Sequence, residues 1–286
     1  MKAILTDITR CTGCDKCKEA CYNLYNKGEV SIPSVDAKDD LSDMYWTTVV
    51  LYNEGRVYIK DKEVPGYPKE INEETVKEHP RAGFVRRHCL HCNEPTCVSV
   101  CPVGAFRKDH ETGAVIYDSG RCIGCRYCMY ACPYGIPRYE WGKPFPIVQK
   151  CLFCYDRIKR GEQPACTEVC PEGATLFGDR DELIAEAHRR IEKEPGRYLN
   201  HVYGENEAGG TSVLYITKPG VPLDFIFSPR LGVDPLPLYT YKWVLKVPMI
   251  GLGAAFALTG LFWVIQRRNR LAGGEILAER TETDAR

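Results

Sequence analysis

The 286-residue chain carries no net charge, because 38 Lys and Arg balance 38 Asp and Glu. Nothing in it supplies the basic field that holds a phosphate backbone, and it has neither a basic arm nor an acidic tail, so nucleic acid is not an expected partner. Long apolar runs are scarce. Charged residues make up 27% and the mean hydropathy is −0.31, which excludes a polytopic membrane protein and leaves room for one local span. The N-terminus, MKAILTDITRCTGC, lacks both a twin-arginine pair and an apolar h-region, so no export signal of its own is expected. Cysteine is missing after position 170. Before it, sixteen cysteines dominate a length suited to one large or two modest domains.

These cysteines form four groups of four with none left over. Cys11, Cys14, Cys17 and Cys21 are spaced C-x2-C-x2-C-x3-C; Cys89, Cys92, Cys97 and Cys101 are spaced C-x2-C-x4-C-x3-C-P. Cys122, Cys125, Cys128 and Cys132 are spaced C-x2-C-x2-C-x3-C-P, and Cys151, Cys154, Cys166 and Cys170 are spaced C-x2-C-x11-C-x3-C-P. The run C-x2-C-x2-C-x3-C-P is that of bacterial ferredoxins, where three thiolates hold one iron-sulfur cube and the fourth reaches a neighbouring cube. Two residues between ligands let the backbone curl round the cube and aim peptide N–H groups at its sulfides. The fourth cysteine is expected on the first turn of a helix heading to the other cluster. Pro102, Pro133 and Pro171 then redirect the chain, and Tyr22 stands in that place in the first group. Disulfides do not explain one motif repeated four times. Zinc is the stronger rival for C-x2-C pairs, yet it leaves the third C-x2 step and the C-x3-C-P ending unexplained.

If ligands cross over as in two-cluster ferredoxins, the second and third groups form one unit. One cluster takes Cys89, Cys92, Cys97 and Cys132, and its partner takes Cys122, Cys125, Cys128 and Cys101. The outer groups pair across the chain: Cys11, Cys14, Cys17 and Cys170 hold one cluster, and Cys151, Cys154, Cys166 and Cys21 the other. The fold expected is α+β, with two nested dicluster ferredoxin-like domains and one C-terminal transmembrane helix. Residues 1–30 with 143–180 make the first, discontinuous domain and 81–142 the second. Residues 31–80 are a β-hairpin insertion, 181–238 a helix and strand extension, 239–268 the transmembrane helix with its flanks, and 269–286 a polar tail.

Local patterns fill in that outline. GAF and AVIYD read as β segments either side of the turn DHETG, and Met44 to Val64 reads as a packing hairpin around Asn53-Glu54-Gly55. Leu183, Ile184, Ala187 and Ile191 recur at helical spacing within Arg180 to Lys193. Gly209-Gly210 then turns the chain into TSVLYIT, a strand that closes the sheet. Arg121, Arg126 and Lys150 stand beside cysteines, where positive charge favours the reduced, more negative cluster and raises its potential; surface salt bridging is the competing role for each. His88 and His91 flank Cys89 and stay outside the ligand set, as donors to cluster sulfur or exposed side chains.

From Val247 to Ile265 the chain is apolar and uncharged, long enough to span about 30 Å as a helix. Pro248 suits its first turn, Tyr239, Tyr241, Trp243 and Trp263 suit the two interfaces, and Lys246 and Arg267 bracket it. Gly251, Ala255 and Thr259 make a stripe of small residues open to another helix. Arg267, Arg268 and Arg270 beyond the span bias the C-terminus to the cytoplasm, which sets the cluster region on the outer face.

The four groups in this order, with VSVCPVGAFRKDHETGAVIYD, CIGCRYCMYACPYGIPRY, QPACTEVCPEGATLFG and a single C-terminal helix, resemble the four-cluster electron-transfer (β) subunits of membrane-bound respiratory oxidoreductases. Within that family the middle motifs look most like the hydrogenase-2 iron-sulfur subunit, while QPAC and the short N-terminus are similar to the formate dehydrogenase-N β subunit. The resemblance covers nearly the whole chain. It implies four [4Fe-4S] clusters on all sixteen cysteines and no catalytic residue. It also implies a catalytic partner of nickel-iron hydrogenase or molybdenum/tungsten-pterin type, an integral-membrane quinone-reactive or cytochrome b partner, and export alongside a twin-arginine partner. The chain would conduct single electrons between the two. A zinc-stabilised scaffold and a soluble polyferredoxin are the alternatives; a catalytic cluster with an open iron needs a three-cysteine site, and none is left unpaired.

Overall fold

The computed structural model describes residues 1–25, 41–53, 56–58, 83–221, 223, 227 and 231–283. Two units are present, Met1–Pro237 and Leu238–Arg286. The first opens with β1 (Lys2–Asp7), whose residues after Lys2 are all buried. A strand buried on both faces has to be apolar on both, and AILT meets that need. Ala3 and Leu5 pack with Leu183, Ala187 and Ile191, whereas Ile4 on the opposite face joins Val85, Leu90, Phe153 and Tyr215. Period-two alternation thus places one strand between two cores.

Both neighbours of β1 come from far along the chain. β9 (Thr175–Asp179) pairs with it antiparallel and β10 (Val213–Ile216) pairs parallel, giving the order β10-β1-β9. The strand expected after Gly209-Gly210 therefore does close this sheet, next to the first strand. The helix expected at Arg180 to Lys193 spans those same residues and buries Leu183, Ala187 and Ile191. Asp181 and Glu182 in its first turn and Arg190 and Lys193 in its last suit the helix dipole.

A second sheet has the order β3-β2-β4, from Thr47–Asn53 (β2), Arg56–Tyr58 (β3) and Gly83–His88 (β4). The hairpin expected here is present with Asn53 opposite Arg56; Glu54, Gly55 and residues 59–64 lie outside the described residues. A third strand, β4, extends the hairpin into a sheet. β4 runs straight into Cys89 and pairs with β2, so the sheet crosses the expected boundary at residue 80. Between the second and third cysteine groups, β5 (Phe106–Lys108) and β6 (Val115–Tyr117) form the anticipated hairpin, with Asp109 accepting from the N–H groups of Glu111 and Thr112 in its turn. The first segment falls on Phe106–Lys108, overlapping GAF only at Phe106, and the Asp118 N–H donates to the Ala105 carbonyl at the end of the ladder. β7 (Arg138–Tyr139) and β8 (Val148–Gln149) form a short ladder.

Among the described residues the α-helices with defined bounds are α1 (Lys16–Tyr25), α2 (Thr96–Ser99), α3 (Tyr127–Ala131), α4 (Tyr155–Lys159), α5 (Ala165–Glu168), α6 (Arg180–Lys193), α7 (Leu236–Val244) and α8 (Val247–Thr283). The second unit is largely α8, which begins with Pro248 in its first turn and continues through residues expected as a polar tail. The stretch Leu236–Leu271 is long and apolar enough to cross a membrane by length and composition. Lys246 lies 4.9 Å from the Trp243 ring centre and Arg267 lies 5.5 Å from that of Trp263, so a cation caps an aromatic near each end of the apolar run. Thr259 in the small-residue stripe donates back to the Ala255 carbonyl at 2.8 Å.

Candidate metal centres

All four cysteine groups share one backbone device. The residue before the second cysteine is left-handed in each: Gly13 (φ 73°), His91 (φ 50°), Gly124 (φ 68°) and Phe153 (φ 62°). In the first, third and fourth groups that residue's N–H is turned toward the first sulfur of the group. Gly124 N–H lies 3.4 Å from Cys122 Sγ and Phe153 N–H lies 3.3 Å from Cys151 Sγ. At position 13 glycine is also required by space, since a Cβ would stand 2.5 Å from the Phe84 ring.

The third cysteine of every group occupies the second position of a helix: Cys17 in α1, Cys97 in α2, Cys128 in α3 and Cys166 in α5. The fourth was expected on a first helical turn, and the structure differs. Cys132 caps the C-terminus of α3, Cys101 and Cys170 follow the C-caps of α2 and α5, and Cys21 lies inside α1. C-x3-C is an i,i+4 pair, so third and fourth cysteines share one face and the helix start belongs to the third. Proline after the fourth ends the helix in three groups; with Tyr22 there instead, α1 continues to Tyr25.

Two hollows collect thiols from distant groups. The first is lined by Cys11, Cys14, Cys17 and Cys170, together with Thr6, Val49 and Arg86, around some 430 Å³ of empty volume. The second is lined by Cys21, Cys151, Cys154 and Cys166, with Tyr25, Thr47, His88 and Phe153, around about 360 Å³. Among the described residues no three Cys, His, Asp or Glu side chains converge tightly enough for a single metal ion. The thiols stand around spaces, as a polynuclear group needs and one zinc ion does not.

The thiol environments extend this grouping. Burial pushes Cys11 up to about 11 and Cys17 up to about 12, with Cys170 near the former and Cys166 near the latter. Cys92 is raised well above its ordinary value by burial and then by Cys132, Cys89 and Cys97. Burial raises Cys128 to about 12, assisted by Cys122, Cys125 and Cys101. Neighbouring sets also meet: Cys89 contributes to the elevation of Cys151, and Cys128 to that of Cys97. Such thiols hold their protons until a metal displaces them.

The charged side chains singled out by sequence fall into different surroundings. Arg121 makes an exposed pair with Asp118 at 3.3 Å, the surface role. Arg126 lies over the rings of Trp141 and Tyr139 at 5.1 and 5.6 Å. Lys150 is buried, donating to the carbonyls of Val115 and Cys151, and its charge lowers the Cys97 thiol against the effect of burial. His88 and His91 are fully buried, which removes exposure as their explanation. His91 Nδ1 accepts the Val115 N–H at 2.8 Å.

Sequence reasoning passed over Arg86, Lys108 and Thr47. The available signal was strand alternation: Arg86 and His88 are two apart on β4, on one face, immediately before Cys89. Arg86 is 1% exposed, yet its Nε and Nη1 have no hydrogen-bond partner, nor do His88 Nε2 and Thr47 Oγ1. Guanidinium cannot discard its charge, and an uncompensated buried charge costs several kcal/mol. Arg86 lines the first hollow, while His88 and Thr47 line the second. Unused donors around both hollows fit an anionic, acceptor-rich group, as an iron-sulfur cluster on four thiolates is.

Residues 81–180 match the 4Fe-4S dicluster domain, and residues 10–105 match a second family of the same description. These matches take the cysteine groups in sequence order, whereas each hollow gathers groups remote in sequence. A protein of Nitratidesulfovibrio vulgaris is 37% identical over 301 residues, which take in 98% of this chain and 73% of that one. Hydrogenase-2 operon protein HybA of Escherichia coli O157:H7 is 36% identical over 255 residues, covering 80% of this chain and 73% of HybA. The iron-sulfur subunit of the nitrate-inducible formate dehydrogenase of Escherichia coli K12 is 32% identical over 220 residues, 75% of this chain and 67% of the subunit.

Proposed function

The chain belongs to the family of 4Fe-4S dicluster iron-sulfur subunits that includes HybA and the formate dehydrogenase iron-sulfur subunits, and from that premise we propose that it is a non-catalytic electron conductor holding four [4Fe-4S] clusters. Each cluster, when bound, takes up and passes on one electron. Its ligands are Cys11, Cys14, Cys17 and Cys170 for the first; Cys151, Cys154, Cys166 and Cys21 for the second; Cys89, Cys92, Cys97 and Cys132 for the third; and Cys122, Cys125, Cys128 and Cys101 for the fourth. The observation that carries this reading is the shared lining of each hollow by thiols from both ends of the cysteine region.

This chain's own residues then have definite work. The left-handed residues Gly13, Gly124 and Phe153 aim N–H groups at cysteine sulfur, offsetting thiolate charge. Burial of Cys21, Cys128 and Cys154 keeps water from those thiols. Lys150 holds a positive charge near Cys97 without access to solvent. On this reading the domain of residues 81–142 is inserted into that of 1–30 with 143–180, and the fold is α+β.

The partners in this proposal are a catalytic subunit of the nickel-iron hydrogenase or molybdenum/tungsten-pterin type and an integral-membrane quinone-reactive or cytochrome b subunit. α8 anchors the chain, with the cluster region outside, the C-terminus in the cytoplasm, and export beside a twin-arginine partner. The test is anaerobic isolation of the complex from native membranes with metal analysis per chain. About sixteen irons from this chain are expected. Nickel identifies a hydrogenase, molybdenum or tungsten a pterin enzyme; zinc in place of iron rejects the reading.

A further inference from the structure

Arg86 is the most deeply buried charge beside the thiols, and its seat is rigid. Its backbone lies in β4 opposite Val49, its carbonyl accepts the Tyr215 hydroxyl at 2.8 Å, and Nη2 reaches Thr6 Oγ1 at 3.4 Å. Tyr215 and Thr6 are themselves almost wholly buried. The guanidinium therefore cannot swing out to water, and Nε and Nη1 remain without partners. It borders the hollow of Cys11, Cys14, Cys17 and Cys170, and the thiols whose charge acts on it most are Cys166, of the other hollow, and Cys17. One side chain thus faces two thiol sets at once.

We propose that Arg86 is a positioning residue shared by the first two cluster sites: its permanent charge, held dry between the two thiol sets, favours the reduced form of both and raises both potentials. This rests on the four-cluster reading above. The step it influences is one electron gained at one site and lost at the other, with no bond made or broken and no proton required. A positive charge stabilises the site bearing the extra electron, and in a water-free setting that effect is weakly screened. Because the guanidinium borders both thiol sets, its fixed charge adds to the stabilisation of each reduced site independently, and both potentials are raised together.

The intact complex is prepared with wild-type chain, Arg86→Gln and Arg86→Lys, and iron per chain and cluster potentials are measured by EPR-monitored titration. Wild type with far fewer irons than four clusters require rejects the four-cluster reading itself, independently of Arg86. With the iron present, Arg86→Gln is expected to lower the reduced-to-oxidised ratio of two clusters about tenfold at fixed potential, about 59 mV for one electron. The other two clusters should move much less, and Arg86→Lys should recover most of the shift. Unchanged potentials in Arg86→Gln, or an equal shift of all four, overturn the proposal. If Arg86→Gln loses iron while Arg86→Lys retains it, charge is required at this place and the proposal stands; equal loss in both variants makes Arg86 a packing element and overturns it.

Discussion

Asp7, at the end of the first strand, accepts Arg190 from the last turn of α6 at 3.0 Å, with both side chains largely out of water. Tyr198 reaches the same carboxylate oxygen at 2.9 Å, and Thr9 satisfies the other through its N–H and hydroxyl. This joint fastens the helix that follows the last cysteine group to the strand that precedes the first.

Arg190→Ala should destabilise the chain by about 1.5–3 kcal/mol, the range for a hydrogen bond to a charged group. Tyr198→Phe should cost less, since Arg190 and Thr9 remain. Denaturant midpoints of the full chain in detergent check both, and equal midpoints for Arg190→Ala and wild type would contradict the joint's importance.

Cys170→Ser should remove or convert the cluster of the first group and leave that of the third intact. Iron should fall by at most about four of some sixteen atoms per chain. Loss of the spectral features assigned through Cys125→Ser, rather than those assigned through Cys14→Ser, would reject the nested pairing.

Metal-free, reduced protein should lose stability at high pH. Folded Cys11 and Cys17 lie at about 11 and about 12, above their ordinary 9.0, mainly through burial. A raised thiol value means the folded form holds the proton longer. The contribution is therefore complete below pH 9 and disappears as pH climbs from 9 toward 11–12. Unfolding midpoints at pH 8 and 10.5 test the sign. Cluster insertion runs the other way, because ligation expels those protons and is helped by rising pH.

A chain ending before Val247 should leave the membrane fraction while keeping its visible absorption, if α8 is the anchor. Retention in washed membranes without other subunits would show that another surface holds it there.

Much of the candidate site was legible because its ligands are one residue type at fixed spacing. C-x2-C and C-x3-C repeat along the chain, and Cys21, Cys151, Cys154 and Cys166 line one hollow. The helix of Leu183, Ala187 and Ile191 was legible for the same kind of reason, a period that survives folding. Arg86 was not. A charged residue in GFVRRH looks like surface, and only the pairing of β4 with β2, plus Tyr215 above it, turns it inward. The sites of Cys101 and Cys170 past their helices were missed as well, because spacing specifies a shared face but not where the helix begins.

The central strand has a temporal consequence. β1 is made before both strands that flank it, β10 more than two hundred residues on. At roughly 10 residues per second, Ile4 waits about 20 s for Val213. During that interval an apolar strand with two open edges and four early thiols has no final home. The hairpin from Phe106 to Tyr117, with only local pairing, can close at once. Newly made chains should therefore depend on a holding factor and on low oxygen most acutely between the emergence of Cys21 and that of Ile216.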